Sequence, residues 1–386
     1  MRCRRCNNTD IKYFYKGSKG YYCRKCVGFK RLLIDEEIIG CEYSSLINDY
    51  DYQLGFELSI DQKRVSDELC RYLVKKRNVL LHCICGAGKT EIVLAAIKQY
   101  LSQGLRVGYA ISRKEVVIEL AKRFNYYFSK ARVVYVCENH TEELFGDLIV
   151  CTTHQLYRYY QYFDLLILDE PDAFPFKNND VLAGIAKNSV KGQIIYSTAT
   201  VDEGLLKMMD QDIVELKLLV RPHYRPLIKP KIIVAFKYLR YLIMWYLVIY
   251  KLKKTLVFVA SKKDAYRLFR IFRHLLKCNY ITSESLAKEK IINDFKNDKF
   301  HVLFTTTILE RGVTFEGVDV IVMDADTYVY DEATLTQCSG RVGRSFNHPD
   351  GCVYYLSSFI TKEMLDSIRE IKLANKYLSL NYEYYQ

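Results

Sequence analysis

Residues 78–101 constrain the fold more than any other part of this 386-residue chain. An apolar run at 78–82 leads into His82-Cys83-Ile84-Cys85-Gly86-Ala87-Gly88-Lys89-Thr90, and a helical pattern follows at 90–101. A strand, a glycine-containing turn and a helix in this order are typical of the phosphate-binding unit of parallel α/β folds. The chain is therefore predicted to contain a parallel sheet with helices on both of its faces.

Further apolar runs extend this pattern along the chain. Their length and composition predict buried strands at 105–110, 132–136, 147–150, 165–168 and 193–196. Helical patterns such as 114–124 separate several of them, as the α/β class requires. The alternation then restarts, with strands predicted at 255–259, 302–306, 318–323 and 353–356 and helices at 262–276, 287–295 and 362–377.

Three of the chain's six prolines, Pro222, Pro226 and Pro230, stand between the two halves. Proline removes a backbone donor and restricts the residue before it, so this segment is predicted to be an extended linker. The chain is accordingly divided into a cysteine-containing module, a connector, a first α/β domain, the linker and a second α/β domain. The predicted boundaries are 1–31, 32–56, 57–220, 221–230 and 231–386.

The segment from Gly86 to Thr90 carries the chemistry of a phosphate-binding loop. Glycines let backbone N–H groups turn toward phosphate oxygens, and the N-terminus of the next helix adds positive potential. In such a loop Lys89 bridges the β- and γ-phosphates and the Thr90 hydroxyl binds Mg²⁺. Cys83 stands where the full pattern has glycine, and short glycine–lysine–threonine matches also occur by chance.

A pair of acids, Asp169 and Glu170, follows the apolar run 165–168. Ligand sites in open parallel sheets lie at the carboxyl ends of strands. We therefore expect Asp169 to hold the Mg²⁺ hydration shell and Glu170 to orient and deprotonate the attacking water. Alone, two acids at a strand end are typical of a surface loop, but downstream of a phosphate-binding loop they predict nucleotide hydrolysis.

The second half contains Gln337-Cys338-Ser339-Gly340-Arg341-Val342-Gly343-Arg344. If the two halves face one another, Arg341 and Arg344 reach the γ-phosphate bound by the first half. Arginine supplied in this way stabilises the charge of the transition state and contributes about 10³–10⁵ in rate. A basic, glycine-rich loop on a solvated surface is the alternative, and the phosphate-binding loop favours the catalytic interpretation.

Together these segments resemble the motif series of superfamily 2 helicases, in the same order along the chain. The series comprises 58–62, 83–90, 169–172, 197–200, 305–315 and 337–344. The resemblance implies two tandem RecA-like domains with ATP as cofactor. It also implies adenine recognition by Gln62, nucleotide contacts from Gly86, Gly88 and Gly312, and a catalytic role for Gln337.

Within that superfamily the chain resembles the ComFA family of competence proteins. Three features carry the resemblance: the Asp169-Glu170-Pro171-Asp172 context, the run 307–315, and a four-cysteine module before the helicase core. Pro171 is a departure, because the family typically has valine there.

The resemblance implies an ATP- and Mg²⁺-dependent motor that helps bring single-stranded DNA into competent cells. It further implies docking to a membrane DNA-uptake channel and to a ComFC-like partner of the phosphoribosyltransferase type. Assembly into a homo-oligomer, and a place in the cytoplasm or on the cytoplasmic face of the membrane, complete the expectation.

Seven residues near strand ends are predicted to hold the phosphates of a nucleic-acid strand. They are Ser112, Arg113, Thr152 and Thr153 in the first domain and Ser261, Thr305 and Thr306 in the second. Contacts to the sugar-phosphate backbone carry no sequence information, as a translocase requires. Each of the hydroxyls is equally suited to capping a helix.

Two CxxC pairs, Cys3/Cys6 and Cys23/Cys26, stand at the start of the chain. Two residues between ligands allow both sulfurs to face one ion, and paired CxxC elements at this spacing are typical of a four-thiolate zinc site. Two disulfides and an iron–sulfur cluster are the alternatives. The intracellular context argues against disulfides, and the spacing is commoner for zinc.

This module is also strongly basic and aromatic. Residues 1–31 hold ten Lys and Arg residues and one acid, which is +9 of the chain's formal net charge of +12. A Zn²⁺ ion with four thiolates lowers the module to about +7. Its aromatic residues are Tyr13, Phe14, Tyr15, Tyr21, Tyr22 and Phe29. Such a module suits single-stranded DNA, where stacking contributes ~1–3 kcal/mol per base. The alternatives are that the aromatics form the module's own core, or that it docks a protein.

The N-terminus has no apolar signal core, which predicts an intracellular protein. The most apolar run, 241–250, is shorter than the about 20 residues that a membrane-spanning helix needs, and it predicts a core helix. Other functions compatible with the motifs are an RNA helicase, a DNA repair or replication-restart helicase, a DNA-uptake scaffold switched by nucleotide, and a zinc-dependent nucleic-acid-binding protein without ATPase activity. The intact set of Lys89, Asp169, Glu170 and Arg344 argues against the last.

Overall fold

The computed structural model describes residues 1–36, 43, 49–209, 212–251, 254–310, 313 and 315–380. The chain falls into two compact units, Met1–Cys83 with Gly88–Leu218 and Ile84–Ala87 with Leu219–Gln386. Each unit is built around one parallel sheet, which confirms the predicted α/β class.

The N-terminal module is a small hairpin placed between the two cysteine pairs. Strands β1 (Phe14–Gly17) and β2 (Gly20–Cys23) pair antiparallel, and β2 ends on the third cysteine. A short 3-10 helix, Val27–Phe29, begins directly after Cys26. The hairpin thereby brings the second CxxC pair back to the first.

The first unit continues with six α-helices, seven strands and a 3-10 helix in its described part. They are α1 (Ile60–Val74), β3 (Val79–Cys83), α2 (Lys89–Ile92), α3 (Leu94–Leu101), β4 (Val107–Ile111), α4 (Lys114–Tyr127), β5 (Val133–Val136), β6 (Leu148–Thr152), the 3-10 helix Thr153–Arg158, β7 (Phe163–Asp169), α5 (Asp180–Ser189), β8 (Val190–Thr198), α6 (Glu203–Met208) and β9 (Val214–Leu218). The sheet order is β5-β6-β4-β7-β8-β3-β9.

Every pairing in this sheet is parallel, so the carboxyl ends of the strands lie along one edge. The strands themselves are apolar and buried; β4 and β6, for example, are buried along their whole length. Burial on both faces favours such continuous apolar runs over an alternating pattern. The polar residues that follow the strands are thereby gathered at the edge where ligands of open α/β sheets bind.

The second unit has five helices and six strands in its described part, besides a one-turn 3-10 helix at Thr307–Leu309. They are β10 (Lys231–Val234), α7 (Lys237–Tyr250), β11 (Lys254–Phe258), α8 (Lys262–Phe272), β12 (Cys278–Ile281), α9 (Lys288–Lys296), β13 (Val302–Thr305), β14 (Val318–Met323), α10 (Glu332–Ser339), β15 (Val353–Ser357) and α11 (Lys362–Leu380). The order β10-β15-β14-β11-β13-β12 is again parallel throughout.

The apolar run 241–250 forms the last part of α7, but the prediction that it is a core helix is wrong. Met244, Leu247 and Val248 are buried against the sheet, whereas Leu242 and Tyr250 are 61% and 67% exposed. The helix therefore covers the sheet with one face and presents a second apolar face to solvent. Among the described residues, none of the helices combines the length and the apolar character that a membrane-spanning segment needs.

The cysteine module packs directly on α5 of the first unit. The side-chain amide of Asn188 donates to the backbone carbonyl oxygens of Arg4 and Arg5, and Lys25 pairs with Asp180 at 3.5 Å. Gly184 lies so close to the module that a Cβ atom there would stand 2.1 Å from the carbonyl oxygen of Cys6. The four cysteines share one buried apolar cluster with residues of α5, so the module is an integral part of the unit.

Replacing Gly184 by alanine tests this close packing. The added methyl group meets backbone rather than a movable side chain, so Gly184→Ala is expected to lower the free energy of unfolding of the first unit by about 1–3 kcal/mol. Gly28→Ala is the matched control in the same module, because no atom lies within 4 Å of its added Cβ. Urea unfolding of the full chain measures both, and equal stability of the two variants would contradict the packing described.

Candidate nucleotide and nucleic-acid sites

The phosphate-binding loop has the backbone that its glycines were predicted to provide. Gly86 and Gly88 have φ angles of +83° and +82°, in the left-handed region where a side chain is unfavourable. Gly88 is the N-cap residue of α2, which begins at Lys89. The lysine and Thr90 therefore open a helix whose first N–H groups have no partner within the helix itself.

Gln62 lies beside this loop in the first unit. It belongs to a capping box at the start of α1, in which its side-chain oxygen accepts from the Ser59 N–H at 2.9 Å. Its amide nitrogen faces Gly88, where a Cβ would stand 2.3 Å from it. The structure thus brings the predicted adenine-reading residue to the phosphate-binding loop, while showing that part of its side chain also caps a helix.

Lys89 and Asp169 meet at the carboxyl edge of the sheet. The Lys89 ammonium lies 4.0 Å from Oδ1 of Asp169, and both side chains are largely buried. The Tyr109 hydroxyl donates to Oδ2 at 2.9 Å. Burial raises the pKa of Asp169, and the charge of Lys89 opposes this shift. Tyr109 was not among the predicted site residues, because its position at the strand centre gives no sign of an acidic neighbour.

The donor set at Asp169 fits a divalent cation. Its Oδ1 atom is buried and accepts no hydrogen bond from the described residues. Such an atom is costly to bury without a ligand, and carboxylate and hydroxyl oxygens are the groups that Mg²⁺ prefers. Thr90, whose hydroxyl is the second predicted ligand, lies next to Lys89 in α2.

Glu170 and Asp172 continue from β7 and have different environments. Glu170 has a φ angle of +55°, a strained conformation for a non-glycine residue, and its N–H donates to the Ser197 carbonyl at 2.8 Å. Asp172 is buried and accepts one hydrogen bond from each of Thr198 and Thr200, both at 2.6 Å. The acid segment is therefore tied through Asp172 to the end of β8.

The predicted backbone-binding residues of the first unit lie at the ends of two neighbouring strands. β4 and β6 are paired so that Ile111 stands opposite Thr152, which places Ser112 and Thr153 next to one another along the edge. The hydroxyls of Ser112 and Thr153 are buried and have no hydrogen-bond partner in the described part of the chain. Thr152 makes no side-chain cap to the helix it precedes, and Arg113 makes none to α4.

Two of the three corresponding residues of the second unit, Ser261 and Thr305, are occupied by local structure, whereas Thr306 precedes the 3-10 helix Thr307–Leu309 without a side-chain cap to it. Ser261 caps α8 by accepting from the Asp264 N–H, and its hydroxyl also bonds the Asp264 carboxylate at 2.5 Å. Thr305 is fully buried, and its hydroxyl donates to the carbonyl oxygen of Thr306. The alternative that these hydroxyls serve the fold thus applies to Ser261 and Thr305.

The arginine segment of the second unit is held largely by backbone carbonyls. Arg341 is buried and donates to the carbonyl oxygens of Glu310 and Val313. Arg344 is partly exposed, and its Nε donates to Gly340 O at 2.6 Å. Gln337 lies on α10 and accepts from the thiol of Cys85 at 2.9 Å. Gly312, predicted to contact nucleotide, lies outside the described residues.

Arg221 contacts the backbone of the arginine segment, a role that was not predicted from the sequence. Its side chain is 1% exposed and donates to the carbonyl oxygens of Gly340, Val342, Gly343 and Cys85. All four of these residues belong to the second unit. Burial, and then the nearby charge of Arg344, lower its pKa to about 10. The residue fell within the predicted linker, where the prolines indicated extended chain and not a buried cation.

The four cysteines of the module come together as predicted. Their sulfur atoms all lie within 4.8 Å of one another, with Cys3 to Cys26 at 3.6 Å and Cys6 to Cys23 at 3.8 Å. A disulfide requires about 2.05 Å between sulfurs, so these cysteines are not bonded to each other. Sulfurs about 2.3 Å from one tetrahedral zinc lie about 3.8 Å apart, which fits both distances.

Comparison with known families defines the class of the chain. Residues 55–203 match the family of the res subunit of type III restriction enzymes, and residues 235–346 match the helicase conserved C-terminal domain. The fold resembles that of yeast Dbp5 bound to RNA and ADP BeF3, with a TM-score of 0.62 and 16% identity over 82% of this chain and 91% of that one. The chain is thus a two-domain, RecA-like superfamily 2 helicase.

Two curated relatives define the family more closely. The competence protein ComFA of Streptococcus pneumoniae is 34% identical over 97% of this chain and 90% of its own length. ComFA of Bacillus subtilis is 30% identical over 97% of this chain and 86% of its own length. The chain belongs to the ComFA family, as its motifs predicted.

Asp172 provides a structural test of the link between the acid segment and β8. Asp172→Ala removes the carboxylate that accepts from both threonine hydroxyls and leaves Thr198 only the Thr200 carbonyl as acceptor, so the free energy of unfolding of the first unit is expected to fall by about 1–3 kcal/mol. Asp212→Ala is the control, because that carboxylate is 96% exposed and its ion pair with Arg77 contributes little. Chemical denaturation compares the two, and a loss no larger than the control's would contradict the role described.

Proposed function

We propose that this chain hydrolyses ATP with Mg²⁺ and couples hydrolysis to movement along single-stranded DNA during natural competence. The observation that carries the proposal is the buried Lys89–Asp169 pair, with an unsatisfied carboxylate oxygen, at the mouth of a phosphate-binding loop. Family membership supports the role in competence, because both curated relatives are competence proteins.

In this proposal the residues of the first unit bind and activate the nucleotide. Lys89 neutralises the β- and γ-phosphates, the loop N–H groups hold their oxygens, and Thr90 and Asp169 are the ligands for Mg²⁺. The metal, when bound, withdraws charge from the phosphate oxygens. Glu170 accepts a proton from the attacking water, and the Gln62 amide, which faces Gly88, reads the adenine.

The second unit contributes Gln337, Arg341 and Arg344 in the proposed mechanism. Arg341 already donates to the carbonyls of Glu310 and Val313, which suits a residue that positions the adjacent segment. Arg344 has a partly exposed side chain and is the better suited of the two to stabilise transition-state charge. Arg221, with its four carbonyl acceptors, holds the glycine-containing backbone that presents both.

DNA is proposed to be held by its phosphates at the edge where β4 and β6 end. The unsatisfied hydroxyls of Ser112 and Thr153 support this, because buried polar atoms without partners are uncommon and point to a ligand. Arg113 and Thr152 complete the first-unit set, and Ser261, Thr305 and Thr306 remain the predicted set of the second. Contacts of this kind are independent of base sequence.

The cysteine cluster is proposed to bind zinc. The sulfur–sulfur distances support a tetrahedral four-thiolate site, and a closed site of this type is structural, not catalytic. Docking to a ComFC-like protein or a membrane channel, homo-oligomer formation and a peripheral position at the cytoplasmic face of the membrane stay predictions from the family.

Substitution of Lys89 tests the motor. Single-stranded DNA is expected to stimulate ATP hydrolysis by the wild-type chain more than duplex DNA or RNA does. In Lys89→Ala, which lacks the charge that neutralises the phosphates, the stimulated rate is expected to fall by roughly 100-fold or more. Lys98→Ala is the control, since Lys98 lies on α3 and pairs with the exposed Asp51.

Three outcomes of that assay would contradict the proposal. Normal turnover in Lys89→Ala would exclude the phosphate role of the loop. Greater stimulation by RNA would favour an RNA helicase. Hydrolysis indifferent to every nucleic acid would favour the scaffold in which nucleotide is a switch.

Metal analysis tests the cysteine site. The purified full chain is expected to contain about one zinc per molecule, and Cys26→Ser to lose most of it with a lowered unfolding temperature, because the metal contributes directly to folding. Cys278→Ser is the control, since Cys278 lies outside the cluster. Iron with visible absorbance in place of zinc would show a cluster, and the absence of any metal would overturn the site.

A further inference from the structure

An aromatic and cationic cluster joins the cysteine module to the 3-10 helix Thr153–Arg158. The ring of Phe29 stacks on His154 with centroids 6.0 Å apart and lies 5.6 Å from the ring of Tyr157. The guanidinium of Arg158 lies 5.0 Å from the centre of the Tyr157 ring, and that of Arg5 lies 5.8 Å from it. We call these five residues the platform.

The platform is assembled from three segments without acidic residues. The sequence has no Asp or Glu from 1 to 9, from 11 to 34 or from 148 to 163. Arg5 and Arg158 therefore keep their charge near the Tyr157 ring without a carboxylate from any of these segments. Planar aromatic rings interleaved with guanidinium groups are the surface on which proteins stack the bases of single strands.

His154 is the exposed member of the platform, while Phe29 and Tyr157 are half-buried. Partial burial lowers the pKa of His154, so its imidazole is neutral near pH 7. An exposed neutral ring already stacked on Phe29 is suited to receive a further planar group. The module also contacts α5 through Asn188 and Gly184, away from this ring.

A second observation, an unpartnered buried hydroxyl, points to a ligand beside the platform. Thr153, the residue before His154, is 1% exposed, and its Oγ1 atom has no hydrogen-bond partner in the described part of the chain. The neighbouring Ser112 hydroxyl is also buried and has no hydrogen-bond partner among the described residues. A strand whose phosphate is held by these hydroxyls would present its next bases to the 3-10 helix that begins there.

We propose that the platform is a base-stacking site for single-stranded DNA, built jointly by the cysteine module and the helicase core. The inference rests on the proposed function and adds to it the contact that receives the bases. The module then has a defined task, which is to supply Phe29 and Arg5 to a surface that the core begins with His154, Tyr157 and Arg158.

Binding of the full chain to two labelled single strands tests the platform. The probes are an oligothymidylate and an abasic strand of the same length, measured by fluorescence anisotropy. His154→Ala is expected to weaken oligothymidylate binding by about 5- to 150-fold, the range of one stacked base, and to leave abasic binding unchanged. His154→Phe is expected to restore the affinity, since it returns a neutral ring.

Tyr72→Ala is the matched control. Tyr72 lies under Lys75 on α1, a similar ring–cation pair, and α1 packs at the β9 end of the sheet instead of the β6 end. It is expected to leave binding to both probes unchanged.

Other outcomes separate the platform from simpler roles. Unchanged oligothymidylate affinity in both His154→Ala and Arg158→Gln, with a wild-type chain that binds DNA normally, would overturn the platform and leave the motor intact. An equal loss on the abasic strand would show a backbone contact only, and a fall in unfolding temperature matching the loss in affinity would show that the cluster merely docks the module. A wild-type chain that binds neither probe would instead contradict the proposed function itself.

Discussion

The first unit buries the ion pair of Lys89 and Asp169, and the surrounding residues must offset the cost of burying these two charges. A buried charge is costly unless it is paired and hydrogen-bonded. Here the ammonium and the carboxylate stand 4.0 Å apart, beyond hydrogen-bond distance, and Tyr109 satisfies one carboxylate oxygen. Oδ1 of Asp169 remains buried without a hydrogen-bond partner in the described part of the chain, which supports the proposal that this oxygen binds a metal ion. Parallel order in the sheet makes this possible, because it sets the ends of β3 and β7 along one edge.

Unsatisfied polar atoms gather along that same edge. Asp169 ends β7, Ser197 lies near the end of β8, and Ser112 and Thr153 follow β4 and β6; each of them has a buried oxygen without a hydrogen-bond partner in the described part of the chain. Folding alone does not favour such atoms, since each costs the desolvation of a polar group. Their location at this edge supports the proposal that nucleotide binds at one part of it and a nucleic-acid backbone at another.

The elements with a local signal are predictable from the sequence. The buried strands are continuous apolar runs, and the loop glycines, the strand-end acids and the CxxC pairs each carry their chemistry in their spacing. Features that depend on partners distant in sequence are not predictable in this way. Strand β9 alternates Val, Glu, Leu, Lys and Leu at a sheet edge and has no apolar run. Arg221 was assigned to the linker because no residue near it in sequence indicates that backbone carbonyls surround its side chain. The close approach of Gly184 to Cys6 is equally invisible until both segments are folded.

Because the cysteine module packs on α5, removing the module would also change the surface of the helicase core. Leu182, Ile185 and Ala186 share their apolar cluster with the four cysteines, so a chain starting after residue 31 would turn part of its own interior into surface. Such a fragment would tend to self-associate, and poor solubility would then imitate a loss of DNA affinity. The module is better regarded as part of the packed helicase core than as a separable domain.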